Sequence, residues 1–208
     1  MKLYYVHDPM CSWCWAFHPV WQEIQSKLSV DIAVEYLLGG LAPDSETSMS
    51  PVTQREIQAH WKTIRKQVPG IMFNFDFWKL NTPRRSTYPA CRAVIAAKRQ
   101  DPLIESAMIH AIQTAYYLEA RNPSDSDVLI ACAKNVGLDS EQFEADFLAT
   151  ATQTQLMNEI RQAQRMQVFS FPSLVVKHQE KIRIIRIDYN DAEVVLTQIR
   201  SISDSFNR

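Results

Sequence analysis

Two cysteines, Cys11 and Cys14, stand three residues apart near the start of the chain. At a helix start this spacing puts both side chains on one face, a turn apart, with Cα atoms about 5 Å from each other. That is within the range a disulfide bridges. The first turn of a helix carries unpaired N–H groups and the positive end of the helix dipole, and both stabilise a thiolate. Cys11, nearer that end and nearer solvent, is predicted to be the nucleophile. Cys14, a turn deeper, is predicted to resolve the mixed disulfide. His7 and His18 extend the string to His-x3-Cys-x2-Cys-x3-His, a possible zinc donor set. Structural zinc organises small loop-rich modules, and a 208-residue chain has a core without it, so no metal is expected. His7 reads as a structural histidine at a strand end, with a cationic role beside the thiolate as the alternative.

The elements that must position this pair are legible around it. Residues 2–6 read as a short buried strand stopped by Asp8-Pro9, and 12–28 follow with apolar positions at helical spacing. Residues 30–38 read as a second strand ended by Gly39-Gly40, so the cysteines fall at a strand-to-helix junction of a β-α-β unit. From 41 to 150 the periodicity is helical throughout. Pro51 and Pro89 open helices, Pro102 to Glu119 forms another, a capping box over Ser124 to Asp127 precedes a further one, and Asp139 to Leu148 adds the last. This block is predicted to be an insertion with its own small core. After 151 come a helix, the run Phe169-Ser170-Phe171-Pro172, strands at 173–177 and 182–187, and a final helix. The expected fold is therefore α/β, divided into one unit of residues 1–40 and 151–208 and a helical insertion of 41–150.

Bulk properties exclude several functions. The chain is 46% hydrophobic with a formal net charge of −1, which offers no electrostatic case for nucleic acid or an anionic membrane. The basic runs Lys62 to Lys66 and Arg84-Arg85 read as solvated faces. The first residues lack the apolar core of a secretory leader, and no stretch reaches the ~20 apolar residues of a membrane span. A cytoplasmic location is expected, where paired cysteines are catalytic or metal-binding more often than structural. Cys91 and Cys132 lie on apolar helical stripes and read as core filling. Trp13, between the paired cysteines, is expected at the surface against substrate. The aromatic run from Phe73 to Trp78 reads as packing within the insertion.

The strand ending in Asp8-Pro9, the Cys11-Ser12-Trp13-Cys14-Trp15 box, Pro19 five residues beyond Cys14, and the late Phe171-Pro172-Ser173 together resemble the DsbA-like branch of the thioredoxin superfamily. The nearest pattern is its cytoplasmic FrnE-like group of predicted disulfide isomerases, and the resemblance spans essentially the whole chain. It implies a thioredoxin-like fold with a large all-helical insertion, and catalysis by Cys11 and Cys14. It also implies a cis peptide bond before Pro172 facing the disulfide, and substrate contacts from Ser12, Trp13, Phe171 and Pro172. The implied partners are protein or small-molecule thiols and disulfides. No bound cofactor is implied beyond the redox disulfide, with glutathione a possible co-substrate. Ser12-Trp13 differs from the Pro-His of the periplasmic oxidants and the Gly-Pro of thioredoxins, so oxidant, reductant and isomerase all stay open. The buried acid that assists proton transfer in related proteins has no evident match; Asp8 and Glu35 are the candidates.

Two other functions fit the same fold. Kappa-class glutathione transferases and hydroxychromene carboxylate isomerases resemble it and activate glutathione with a serine near this position, without the cysteine pair. A binding or chaperone module using the cis-proline groove without redox turnover would keep its activity when Cys11 is replaced.

Overall fold

The structure, a computed structural model, describes residues 1–206. Its centre is β1 (Lys2–His7), whose aromatic and branched residues alternate between two buried faces. Leu3 and Tyr5 point to one side and pack on helix α1 (Ser12–Lys27) through Phe17, Val20, Trp21 and Ile24. Tyr4 and Val6 point to the other side, against Ala163, Met166 and Val168. Strand β2 (Ala33–Leu38) runs parallel to β1. Helices α2 (Pro51–Gln67), α3 (Phe77–Leu80), α4 (Tyr88–Gln100), α5 (Glu105–Tyr117), α6 (Ser126–Asn135) and α7 (Ser140–Leu148) intervene before α8 (Thr150–Arg165). Strands β3 (Ser173–His178) and β4 (Lys181–Ile185) and helix α9 (Ala192–Phe206) complete the chain. The sheet order is β2-β1-β3-β4, with β3 antiparallel to both of its neighbours. This is the thioredoxin-like α/β fold with a helical block between β2 and α8.

Helix α1 runs unbroken through Pro19. Proline removes one helical hydrogen bond, at a cost of about 3 kcal/mol in an exposed helix. Here one flank is buried on β1 and α9 and the other carries Trp15 and Ala16 into the helical block, so tertiary packing holds the helix together.

The helical block does not have a core of its own. Trp61 of α2, fully buried, is ringed by Phe73, Phe77, Tyr116 and Tyr117 at centroid distances of 4.9–6.2 Å. That cluster continues without a break into Met10, Trp15 and Leu38 of the first β-α-β unit and into Leu156 and Ile160 of α8. Helical periodicity marks which faces are apolar but not which partner each face meets, so the expectation of a separate core fails at this point. The capping box is also absent. Asp125 is the N-cap of α6 but its side chain makes no capping bond, while the Ser124 hydroxyl donates to the Ser86 carbonyl at 2.7 Å.

His7 ends β1 with no exposed surface, stacked on Tyr5 at 5.1 Å and edge-on to Tyr36 at 5.7 Å. Neither ring nitrogen has a hydrogen-bond partner among the described residues. Burial, with the charge of Lys98 adding to it, lowers its pKa to about 3. The imidazole is therefore neutral and structural, and the cationic reading is overturned. An unfolded chain takes up this proton below about pH 6.5, whereas the folded chain resists until near pH 3. Stability attributable to His7 is thus complete above pH 6.5 and is lost as pH falls through that window, by up to about 1.4 kcal/mol per pH unit. His7→Phe keeps the stacking and removes the titration. In urea unfolding at pH 7, 5.5 and 4.5, the stability difference should shift progressively in favour of the variant. A difference that stays constant with pH contradicts this account.

Candidate active site

The loop between β1 and α1 is organised by Asp8, which is fully buried. Its Oδ1 accepts the Met10 N–H at 2.8 Å, and its backbone carbonyl accepts the Cys11 N–H at 3.0 Å, which turns the chain into α1. Its Oδ2 accepts the Leu41 N–H at 2.7 Å and the Thr87 hydroxyl at 2.6 Å, and the Cys91 thiol donates to it at 3.5 Å. One carboxylate thus joins the cysteine loop, the segment after β2 and the start of α4. Burial pushes its pKa up, and these four donors, favouring the charged form, hold it back. Burial and the adjacent carboxylate push the Cys91 thiol far up in turn, which makes it an inert donor.

Cys11 occupies the N-cap of α1 in extended backbone conformation, with its carbonyl accepting the Trp15 N–H at 3.1 Å. Cys11 is 7% exposed and Cys14 not at all, so solvent reaches only the first sulfur. The Cys11 thiol donates to the Phe171 carbonyl at 3.4 Å, across 160 positions of chain. The Phe171–Pro172 bond is cis. The Phe171 ring lies where Gly39 has no side chain; a Cβ there would overlap the ring. Burial, and next the neighbouring Cys11, raise the Cys14 pKa well above the ordinary thiol range. All four cysteines are free thiols.

The helical block presses on the same loop from its other side. Tyr117 donates from Oη to the Met10 carbonyl at 2.7 Å, and Trp15 donates from Nε1 to the Met72 carbonyl at 3.0 Å. Ser12 is half-buried at the first position of α1. Trp13 is also half-buried rather than fully exposed, because its ring packs on Tyr189 at 4.8 Å. A cleft of about 580 Å³ opens in front of Cys11, between the Trp13 and Phe171 side and a wall made by α2 and the 84–87 segment. Cys11, Ser12, Trp13 and Phe171 all line it. Pro172, expected to contact substrate, is instead buried behind Phe171, is not among the residues lining the cleft, and leads into β3.

Some sequence expectations need correction here. Glu35 lies on the edge strand, half-buried and paired with Lys2 at 2.6 Å, which commits it away from the cysteines. Arg84 is not a solvated face: it is 19% exposed, pairs with Asp125 at 2.6 Å and, with Arg85, lines the cleft. Lys62, Arg65 and Lys66 are exposed on α2. His7 and His18 belong to separate ring clusters, His18 stacking on His110 at 4.6 Å. Among the described residues no group of three or more metal-ligating side chains converges. Sequence reasoning missed the Thr87 and Leu41 ties to Asp8, whose only signal was the Asp-Pro turn ahead of the first cysteine.

Comparison with known proteins agrees with this architecture. The profile of a family described as thioredoxin (Thioredoxin_5) matches residues 4–194. The ClpXP adapter protein SpxH of Halalkalibacterium halodurans is 26% identical over 179 residues, covering 84% of this chain and 58% of that protein. The chain thus spans little more than half the length of such relatives. A solved structure from Nitrosomonas europaea, a candidate protein disulfide isomerase, superposes with a TM-score of 0.87 at 25% identity, covering 98% of both chains. The cytosolic disulfide reductase DsbM of Pseudomonas aeruginosa superposes with a TM-score of 0.78 at 21% identity, covering 96% of this chain and 99% of that one. It has also been solved with GSH. Among the described residues no helix is long and apolar enough to cross a membrane.

Asp8→Asn tests the buried hub. The amide keeps one acceptor but turns the other into a donor facing either the Met10 N–H or the Leu41 N–H. Stability to urea should fall by about 2–3 kcal/mol, and the Leu41 amide hydrogen should exchange faster. Unchanged stability and protection would mean that the network carries no weight.

Proposed function

We infer the activity from one premise: this chain belongs to the thioredoxin family, with the fold of DsbA-like disulfide oxidoreductases. On that premise it is a thiol–disulfide oxidoreductase or isomerase, acting on protein or small disulfides in the cytoplasm. The observation that carries this reading is the asymmetry of the pair, with Cys11 reachable from a cleft and Cys14 sealed beneath it. The Cys11 thiolate attacks one sulfur of the substrate disulfide, forms a mixed disulfide and expels the other sulfur as a thiolate, which takes up a proton. Cys14 then gives up its proton and attacks Cys11, which forms the Cys11–Cys14 disulfide and releases the second substrate thiol. The substrate gains two electrons and the protein dithiol loses two; an external dithiol, or two thiols, restores the reduced protein.

The high pKa of Cys14 bears on the order of events. It keeps Cys14 protonated while Cys11 is free, so attack on substrate precedes resolution. The Phe171 carbonyl, which accepts from the Cys11 thiol, supports a role for the 169–172 segment in aligning an incoming chain beside the sulfur. The cytosolic reductase DsbM supports both the reaction class and the compartment.

A second reading rests on the SpxH relatives, which are ClpXP adapter proteins. In that reading the cleft holds a protein without turnover. A glutathione-dependent transferase or isomerase would share the fold, but it would not need a second thiol at position 14.

Equilibration in glutathione redox buffers, read by alkylation mass shift, separates these readings. A single two-electron transition that disappears in both Cys11→Ser and Cys14→Ser is expected, with Cys14→Ser accumulating the mixed disulfide. If Cys11 and Cys14 never pair, dithiol exchange is excluded and the adapter or glutathione-dependent reading takes its place.

A further inference from the structure

Cys14 must become a thiolate to resolve a mixed disulfide, yet it has no exposed surface and its burial opposes that charge. The groups around its sulfur differ in what they can do about this. Asp8 has both carboxylate oxygens filled by donors, and its negative charge opposes a second one at Cys14; only its backbone N–H favours the thiolate. Tyr117 has its hydroxyl committed to the Met10 carbonyl. Tyr189, ahead of α9, is set against the rings of Trp13 and Phe17, at 4.8 and 5.9 Å. Tyr5 is placed differently. It lies buried on the α1 face of β1, and its hydroxyl hydrogen-bonds to the Cys14 sulfur. Four rings fix it there: Trp21 at 4.6 Å, His7 stacked at 5.1 Å, Tyr36 edge-on at 5.5 Å and Phe17 at 6.0 Å. Phe17 and Trp21 continue the buried stripe of α1 that Cys14 begins. Burial first, then the charges of Cys14 and Cys11, push the Tyr5 pKa well up, so the phenol keeps its proton and remains a donor.

We propose that Tyr5 is a catalytic residue of the resolving step, its hydroxyl donating to the Cys14 thiolate as that sulfur attacks Cys11. The inference rests on the exchange reading above and adds a group to its chemistry. In the step Cys14 gives its proton to solvent and its sulfur bonds to the Cys11 sulfur. The bond from Cys11 to the substrate sulfur breaks, and the substrate leaves as a thiolate that takes up a proton. Tyr5 keeps its own proton throughout. A hydrogen bond to an anion is about twice as strong as one between neutral groups, so the O–H favours the thiolate over the thiol. Tyr5→Phe keeps the ring contacts and loses only this donor.

The test mixes the full-length dithiol protein with an equal concentration of dithiobis(nitrobenzoate) in a stopped flow, where each thiol exchange releases one coloured nitrothiophenolate. The first release reports attack by Cys11 and depends on reagent concentration; the second reports resolution by Cys14 and does not. Cys14→Ser, which gives only the first, identifies the phases. In Tyr5→Phe the Cys14 thiolate should be about tenfold scarcer at neutral pH. Each such thiolate, being more basic, is about threefold more nucleophilic. The second release should therefore slow about threefold, and its rise with pH should move up by about one unit, while the first release is unchanged. Tyr36→Phe removes a neighbouring buried hydroxyl that accepts from Trp21 at 2.9 Å, and it should move neither phase. A second release with wild-type rate and pH profile in Tyr5→Phe, equal slowing of both releases, or the same shift in Tyr36→Phe overturns the proposal while leaving exchange chemistry intact. A wild type that releases one equivalent and never the second defeats the exchange reading and this inference together.

Discussion

A carboxylate with no exposed surface is the constraint on which the rest of this structure depends. Asp8 gathers donors from four places in the chain, and without them its charge would face an apolar interior at a cost of several kcal/mol. Because the donors come from the cysteine loop, from the segment after β2 and from α4, satisfying one side chain fixes the relative position of three elements. The first turn of α1, and with it the direction in which Cys11 points, follows from that arrangement. The sheet supplies the platform, but this buried acid sets the angle at which the platform presents its sulfur.

The helical block then acts as the other half of the site rather than as an appendage. Tyr117 reaches the Met10 carbonyl and Trp15 reaches the Met72 carbonyl, so each side donates one indole or phenol hydrogen bond to the other's backbone. Their rings stack at 5.7 Å, inside an apolar cluster that ignores the boundary between the two parts. The edge of β2 is closed in the same manner, with Glu159 of α8 accepting the Leu38 N–H at 3.0 Å.

What the amino-acid order revealed follows the range of the interactions involved. The β1-α1-β2 unit and the cysteine spacing are local patterns, and they were legible as such. Resemblance extended this to the late Phe171-Pro172 segment, which meets Cys11 only through folding. Asp8 could be suspected but not assigned, since its partners Leu41 and Thr87 are ordinary loop residues until the chain brings them to it. Arg84 read as a solvated charge because nothing in its neighbourhood of sequence says that Asp125, 41 residues on, will pair with it. Ser124 misled for a related reason: its hydroxyl had the spacing of a helix cap, but the Ser86 carbonyl, 38 residues away, competes for it and wins.

The contact between Gly39 and the Phe171 ring carries a consequence for the history of the fold. Two positions 132 apart share a single volume, and only one of them can fill it. Lineages that keep an aromatic ring at 171 are held to glycine at 39, whereas a lineage that trims the ring is released from that restriction. Drift at these two sites should therefore be correlated across descendants, with the smaller residue at 171 arising first. The reverse order passes through an ancestor whose Phe171 ring has had to turn out of the space it fills against Gly39.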